Sequence, residues 1–151
     1  MTRTRFRFRR VGLLVDGELT LALRETLPGR GQWAPTYRFH MVGAGDEVMG
    51  AIELRVGRSF ELVQYAGQVG YSVFEKHRGN RYAARACRML FPLARAHGLN
   101  PLWITCNPDN VASRRTCELA GGMLVEVVDL PEDSEMYLNG DRQKCRYRFD
   151  L

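Results

Sequence analysis

The stretch GQVGYSVFEKHRGNRYAARA, Gly67 to Ala86, decides the fold. It opens with the character of a strand, Gly67 to Phe74, weakened at Gly70, where a missing side chain often marks a bulge or a close backbone approach. After a glycine-containing turn the period changes. Ala83, Ala86, Cys87, Leu90, Leu93 and Ala94 recur at helical spacing between Tyr82 and His97. A helix N-terminus reached through a tight turn presents unpaired backbone N–H groups and the positive end of the helix dipole. Such groups suit phosphate oxygens, and Arg78, Arg81 and Arg85 add cationic side chains in the same turn and the next. Taken alone, the segment is equally an ordinary strand-to-helix connection with solvated arginines.

Outward from this segment the pattern continues. Pro92 inside the helix predicts a kink, and Gly98 suits the left-handed position past its end. Leu102 to Cys106 (LWITC) is almost wholly apolar, as in a strand covered on both faces. Asn107-Pro108 reads as an N-cap with proline in the first turn of a second helix, which runs to about Ala120 and stops at Gly121-Gly122. Met123 to Leu130 is a strand, Pro131 to Asp141 a polar loop and Lys144 to Leu151 a last strand. Toward the N-terminus, Gly17 to Leu23 alternates as a strand does, and Pro28 to Pro35 is a loop. Tyr37 to Val42 and Val48 to Val56 form a hairpin around Gly43 to Asp46. A strand–helix–strand unit implies a parallel pair. The expected class is α/β (α+β). It has a central mixed, mostly antiparallel sheet of about six or seven strands, a parallel βαβ pair and helices on both faces, in one domain over residues 1–151.

Composition narrows the function classes. A chain of 151 residues with 45% hydrophobic and 26% charged residues is neither disordered nor fibrous in character. No apolar run approaches the ~20 residues needed to cross a bilayer, and the N-terminus lacks the apolar core of a leader peptide. A cytoplasmic protein without a membrane partner is expected. Cys87, Cys106, Cys117 and Cys145 show neither a CxxC pair nor metal-ligand spacing, so reduced thiols and no metal are expected. The net charge is +5, and the only lysines are Lys76 and Lys144. Five arginines lie in the first ten residues, interleaved with Phe6 and Phe8. They would attract a polyanion, but the alternation from Arg5 to Arg9 fits better a charged strand edge or a loose terminus. A basic nucleic-acid-binding module is the weaker reading.

A second informative segment, CNPDNVASRRTCELAGG from Cys106 to Gly122, follows one helix and one strand after the first. Together, over about Val48 to Leu130, they resemble the GNAT superfamily of N-acetyltransferases. That superfamily binds pyrophosphate with a motif R/Q-x-x-G-x-G/A, matched here by Arg78, Gly79, Asn80, Arg81, Tyr82 and Ala83. The resemblance implies that backbone amides from Arg78 to Ala83 hold the pyrophosphate of acetyl-CoA. It also implies that the strand edge at Ser72, Val73 and Phe74 pairs with the pantetheine amides. The cofactor would lie in a splay between that strand and Leu102 to Cys106. Asn110 and Ser113 match an Asn-x-x-Ala/Ser pattern and, by resemblance, approach the pantetheine arm. Taken singly, Asn110 is a helix cap and Ser113 a surface hydroxyl.

Departures from the pattern are as informative. Arg81 replaces the motif's central glycine, and the expectation is ordinary helical geometry there with Arg81 adding charge. Many relatives carry a tyrosine seven residues after the asparagine, proposed as acid toward the departing CoA thiolate; that position is Cys117. A thiol of pKa ~8.5 is matched to that task, although packing is the commoner reason for a cysteine. Gly67-Gln68-Val69, where many relatives place a glutamate base, contains none, and Glu53, Glu61 and His40 have no assignable role. The superfamily commonly shapes its acceptor pocket in the loop matching Pro131 to Asp141. There Glu132, Asp133 and Glu135 would attract a cationic amine, and Tyr137 would line the pocket. Cys117 and Tyr137 are thus the candidate catalytic residues. The implied reaction is acetyl transfer from acetyl-CoA to a primary amine of a small molecule or peptide; the alternative is a catalytically silent CoA-binding regulatory domain. A homodimer is left open.

Overall fold

Alternation of apolar and polar residues builds the first half of the chain. Leu19 and Leu21, then Tyr37, Phe39 and Met41, then Ile52 and Leu54 all point to one face and are buried, as the period of two requires. In the computed structural model, which describes residues 5–151, these side chains sit on a five-stranded antiparallel sheet. Its order is β1 (Leu14–Asp16), β2 (Leu19–Leu27), β3 (Thr36–Val42), β4 (Val48–Arg55) and β5 (Val69–Val73). Helix α1 (Tyr82–Ala96) leaves β5 and lays Ala83, Ala86, Cys87, Leu90 and Ala94 into the core, the apolar stripe read from its spacing. Pro92 lies within this single assigned helix, and Gly98 takes the expected positive φ of 72° just beyond it.

A second, three-stranded sheet is ordered β6 (Leu102–Cys106), β8 (Gln143–Phe149) and β7 (Met123–Asp129). Helix α2 (Val111–Leu119) separates β6 from β7 in the chain. The fold class is the mixed α/β arrangement expected, with eight strands among the described residues rather than six or seven. The parallel pair expected between β5 and β6 is not a hydrogen-bonded ladder. Both sheets are antiparallel throughout, and the boundary between them falls between those two strands.

Gln68 is the reason the two sheets stay joined at one point. Residues Leu62–Ala66 form a single π-type turn closed at Gly67, whose φ is 81°. A side chain at Gly67 would meet the backbone of Thr105 at 2.9 Å, so only glycine allows the chain this close to β6. The Gln68 N–H then donates to the Trp103 carbonyl at 2.7 Å. Its side chain completes the clasp, accepting from Trp103 N–H at 2.8 Å and donating to the Gly57 carbonyl at 2.7 Å. Arg146 of β8 braces the same junction. It donates to Glu126 of β7 at 2.6 Å and to the Val63 carbonyl at 3.1 Å, and lies over the Trp103 ring.

Three local expectations are corrected. Residues 5–13 form neither a strand edge nor a loose end (Arg3 lies outside the described residues). They run as extended coil tied down by their aromatic face: Phe8 meets Tyr37 edge-on, Phe6 stacks on His97, and Arg9 N–H donates to the Tyr37 hydroxyl at 2.7 Å. The cap of α2 is Asn110 rather than Asn107, because Asn107 is taken by Asp141 at 2.9 Å and Lys144 at 2.5 Å. The loop from Pro131 to Asp141 contains a one-turn helix, α3 (Glu135–Leu138), capped by Ser134.

The aromatic knot predicts a pH dependence. Tyr37 accepts from Arg9 N–H, so its own proton is free to go to His97 Nε2, 2.7 Å away; that requires a neutral imidazole. Burial, with the Arg9 charge, holds the His97 pKa below its usual value. The unfolded chain therefore binds the proton more readily than the folded one. Stability should fall as pH drops below the free-imidazole value of about 6.5 and level off above it. Urea melts between pH 5 and 7.5 test this, and His97→Gln should flatten this part of the profile.

Candidate functional site

The turn from β5 into α1 is built from two positive-φ residues. Gly79 has φ 90° and Arg81 has φ 59°. The expectation of ordinary helical geometry at Arg81 is therefore wrong. The backbone keeps the left-handed shape that favours glycine, and Arg81 bears the strain, on the order of 1–2 kcal/mol. The reason is local: the chain must reverse from the end of β5 into α1 within a few residues. Asn80 supports the reversal through a bond to the His77 carbonyl at 3.1 Å. Helix α1 begins at Tyr82 with no side-chain cap and no acidic residue in its first turn. The N–H groups of Tyr82, Ala83 and Ala84 consequently have no intrahelical acceptor.

The arginines of this segment divide by role. Arg85 points away to the hairpin between β1 and β2, with bonds to Asp16 Oδ2 at 2.8 Å, Glu18 Oε1 at 2.6 Å and the Asp16 carbonyl at 2.6 Å. It holds the Glu18 carboxyl down at about 2 and is a structural cation, not a phosphate ligand. Arg78 gives its Nε to the Val73 carbonyl at 3.0 Å, while Arg81 is exposed.

The edge of β5 that leads into this turn carries no partner strand among the described residues. Phe74 N–H donates to Met49 on β4, and the Ser72 carbonyl also points toward β4 at Gly50. By the strand's alternation, the polar backbone groups of Tyr71 and Val73 face the open edge. Of the three strand residues named from the sequence, Val73 thus offers its N–H there, its carbonyl being taken by Arg78; the Ser72 carbonyl and the Phe74 N–H are directed to β4.

Across the splay, Asn110 Oδ1 accepts from Ser113 N–H at 3.1 Å and caps α2. Ser113 is not a surface hydroxyl. Its Oγ lies 2.6 Å from the Tyr71 hydroxyl, which is 3.3 Å from the Ser113 carbonyl and 3.8 Å from Cys117 Sγ. Cys117 is fully buried. Interaction with the neighbouring Cys106 thiol, together with burial, raises the Cys117 pKa, while the same interaction lowers that of Cys106 to about 7. Burial pushes Cys87 up to about 12. The widely spaced cysteines thus converge, with Cys106 also the cross-strand partner of Cys145. Among the described residues no group of His, Cys, Asp or Glu has a metal-holding arrangement. Tyr71 was not singled out from the sequence, because nothing local distinguishes a tyrosine on a strand that faces a helix 42 residues later.

Tyr137 is not brought to Cys117. It lies on α3, where the Arg142 guanidinium stacks on its ring at 3.9 Å. Glu132, Asp133 and Glu135 are exposed beside it. A shallow depression of about 280 Å³, lined by Asn107, Asp109, Asp141 and Arg142 among others, joins this loop to the start of α2.

A family model described as an acetyltransferase (GNAT) domain matches residues 14–123. Solved structures share the fold at low identity. RimL, the ribosomal L7/L12 α-N-protein acetyltransferase in complex with coenzyme A, is 14% identical with a TM-score of 0.68, over 93% of this chain and 98% of that one. The microcin C7 self-immunity acetyltransferase MccE, in complex with acetyl-CoA and AMP, is 17% identical with a TM-score of 0.57, over 77% and 61%. The ribosomal-protein-S5-alanine acetyltransferase from Vibrio fischeri is 18% identical with a TM-score of 0.60, over 76% and 61%. The matches to the last two span about three fifths of those longer chains. No protein of curated function matches the sequence significantly.

Proposed function

Because this chain belongs to the GNAT acetyltransferase family, we propose that it transfers the acetyl group of acetyl-CoA to a primary amine by direct attack on the thioester. The observation that carries this reading is the continuity of the unpaired β5 edge with the uncapped start of α1. An extended arm with amide groups pairs with the first, through Val73 and Tyr71. A pyrophosphate suits the second, where backbone N–H groups from Gly79 to Ala83 and the dipole end favour anions, with Arg81 adding charge; the Arg78 N–H is taken by the Glu75 carbonyl at 3.2 Å. Asn110 and Ser113 border the arm from α2. Neither Cys117, buried, nor Tyr137, stacked under Arg142, is placed against that path, so neither is given the proton-donor role.

The amine nitrogen forms the new bond to the carbonyl carbon, the carbon–sulfur bond breaks, and the nitrogen's proton ends on CoA as thiol. Much of the acceleration comes from holding the two reactants in register. The exposed Glu132, Asp133 and Glu135, beside the depression at Asn107 and Asp141, favour a cationic acceptor, small or peptidic. No helix among the described residues is long and apolar enough to cross a membrane. The reading takes the enzyme as one cytoplasmic domain over residues 1–151. Calorimetry with acetyl-CoA should show stoichiometric binding, and a panel of amines and peptides should release free thiol with at least one acceptor. Absence of binding would sink the reading. Binding without thiol release from any amine would favour the silent, CoA-binding alternative.

A further inference from the structure

We propose that the Tyr71 hydroxyl donates the hydrogen bond that stabilises the sulfur of acetyl-CoA as it departs, so that strand β5 supplies the phenol that α2 lacks. This rests on the transferase reading above and assigns a residue within that same site.

The placement is the first argument. Tyr71 stands on β5 at the edge that faces the splay and has no partner strand among the described residues, and its hydroxyl crosses the splay to α2. There it reaches Ser113, which borders the proposed path of the pantetheine arm, with the buried Cys117 thiol behind it. Its proton is not locked into a buried acceptor of high charge. At 2.6 Å the Ser113 hydroxyl can act as donor to the phenol oxygen, leaving the phenol proton to the weaker contact with the Ser113 carbonyl at 3.3 Å. Ser113 is then a positioning residue, holding the phenol in aim.

Chemistry supplies the second argument. A departing thiolate needs a donor that is present in its protonated form and free to give its proton, and with the Ser113 hydroxyl directed to the phenol oxygen the Tyr71 phenol is that donor. Cys117 has no exposed surface. Cys106 is the more acidic member of the thiol pair, and an ionised neighbour would repel a second negative sulfur rather than stabilise it. Burial raises the Tyr71 pKa well above the ordinary phenol range, with Cys117 and Cys87 adding in the same direction. The phenol therefore keeps its proton throughout. It acts as a fixed dipole toward the charge that develops on sulfur, while the proton that neutralises the thiolate comes from the attacking amine. Nothing is left charged: the amine loses one proton, CoA gains it, and Tyr71 ends as it began.

The test uses the full chain, acetyl-CoA and whichever amine the panel identifies. Tyr71→Phe should bind acetyl-CoA with a Kd within about twofold of the wild type but turn over roughly a hundredfold more slowly, the cost of removing one such donor. Incorporation of 3-fluorotyrosine at position 71 keeps the shape and makes a stronger donor. That protein should match or exceed the wild-type kcat. A Tyr71→Phe kcat within threefold of wild type would overturn the inference. So would a Kd that rises as far as kcat falls, or a melting temperature that collapses with it, since these are what a packing role would give. Failure of the wider reading looks different, because the wild type itself would then release no thiol.

Discussion

Replacing Gln68 with alanine should lower stability by on the order of 3 kcal/mol and loosen the junction on which the acyl site depends. Gln68 is 1% exposed, and its side chain satisfies two backbone groups from distant parts of the chain, Trp103 N–H and the Gly57 carbonyl. Truncation leaves both without partners in a dry junction. An orphaned buried donor or acceptor costs about 1–3 kcal/mol. At roughly 2–4 °C per kcal/mol for a chain of this size, the melting temperature should fall by about 10 °C. Function should suffer beyond stability. Beyond Gln68, β5 and β6 have no ladder to hold them, so the spacing of the splay is inherited from this clasp. Turnover measured well below the new melting temperature should drop, with faster amide exchange at Trp103. Gln68→Glu keeps an acceptor for Trp103 but turns a carboxylate oxygen toward the Gly57 carbonyl, so it should not rescue. An alanine variant that melts within 2 °C of wild type would show that the sheets are joined by something else.

Gln68 also shows where sequence reading stops. Four strands of the first sheet were legible from local strand character, the three-residue β1 was not, and α1 was legible because six apolar residues recur at helical spacing. The Asn110/Ser113 helix and the Gly79 turn were legible for the same reason: their cues are local. Gln68 has no local cue; its partners lie 11 and 35 residues away. Arg85 was read as a phosphate cation, yet its partners Asp16 and Glu18 come from a hairpin almost 70 residues earlier. Asn107 and Asn110 are equally good caps on paper. The choice is made by Lys144 and Asp141, residues from the far end of the chain that claim Asn107. Long-range polar pairing is the common element in these misses. Apolar periodicity says which face is buried but not which polar group will meet it there.

The turn before α1 yields the other large effect, and its two positive-φ residues should respond in opposite ways. Around Gly79 an added Cβ would meet nothing within 4 Å, so Gly79→Ala introduces no clash. Its whole cost is the backbone at φ 90°, on the order of 1–3 kcal/mol. The chain escapes that cost by relaxing the turn, which moves the very N–H groups proposed to hold pyrophosphate. Acetyl-CoA affinity should therefore fall tenfold or more, at low and high salt alike. Arg81→Gly works from the other side. It removes the strain at φ 59° and adds the conformational entropy of glycine to the unfolded chain, about 0.5–1 kcal/mol. The two nearly cancel, so the melting temperature should hold or rise slightly. The lost guanidinium is exposed, and an exposed charge is worth little and is screened by salt. Affinity should accordingly fall less than fivefold at low salt, with the difference from wild type vanishing at about 0.5 M salt. A larger loss for Arg81→Gly than for Gly79→Ala would mean that the arginine's charge, rather than the shape of the backbone, holds the phosphates. The cradle would then be a side-chain site built on an ordinary turn.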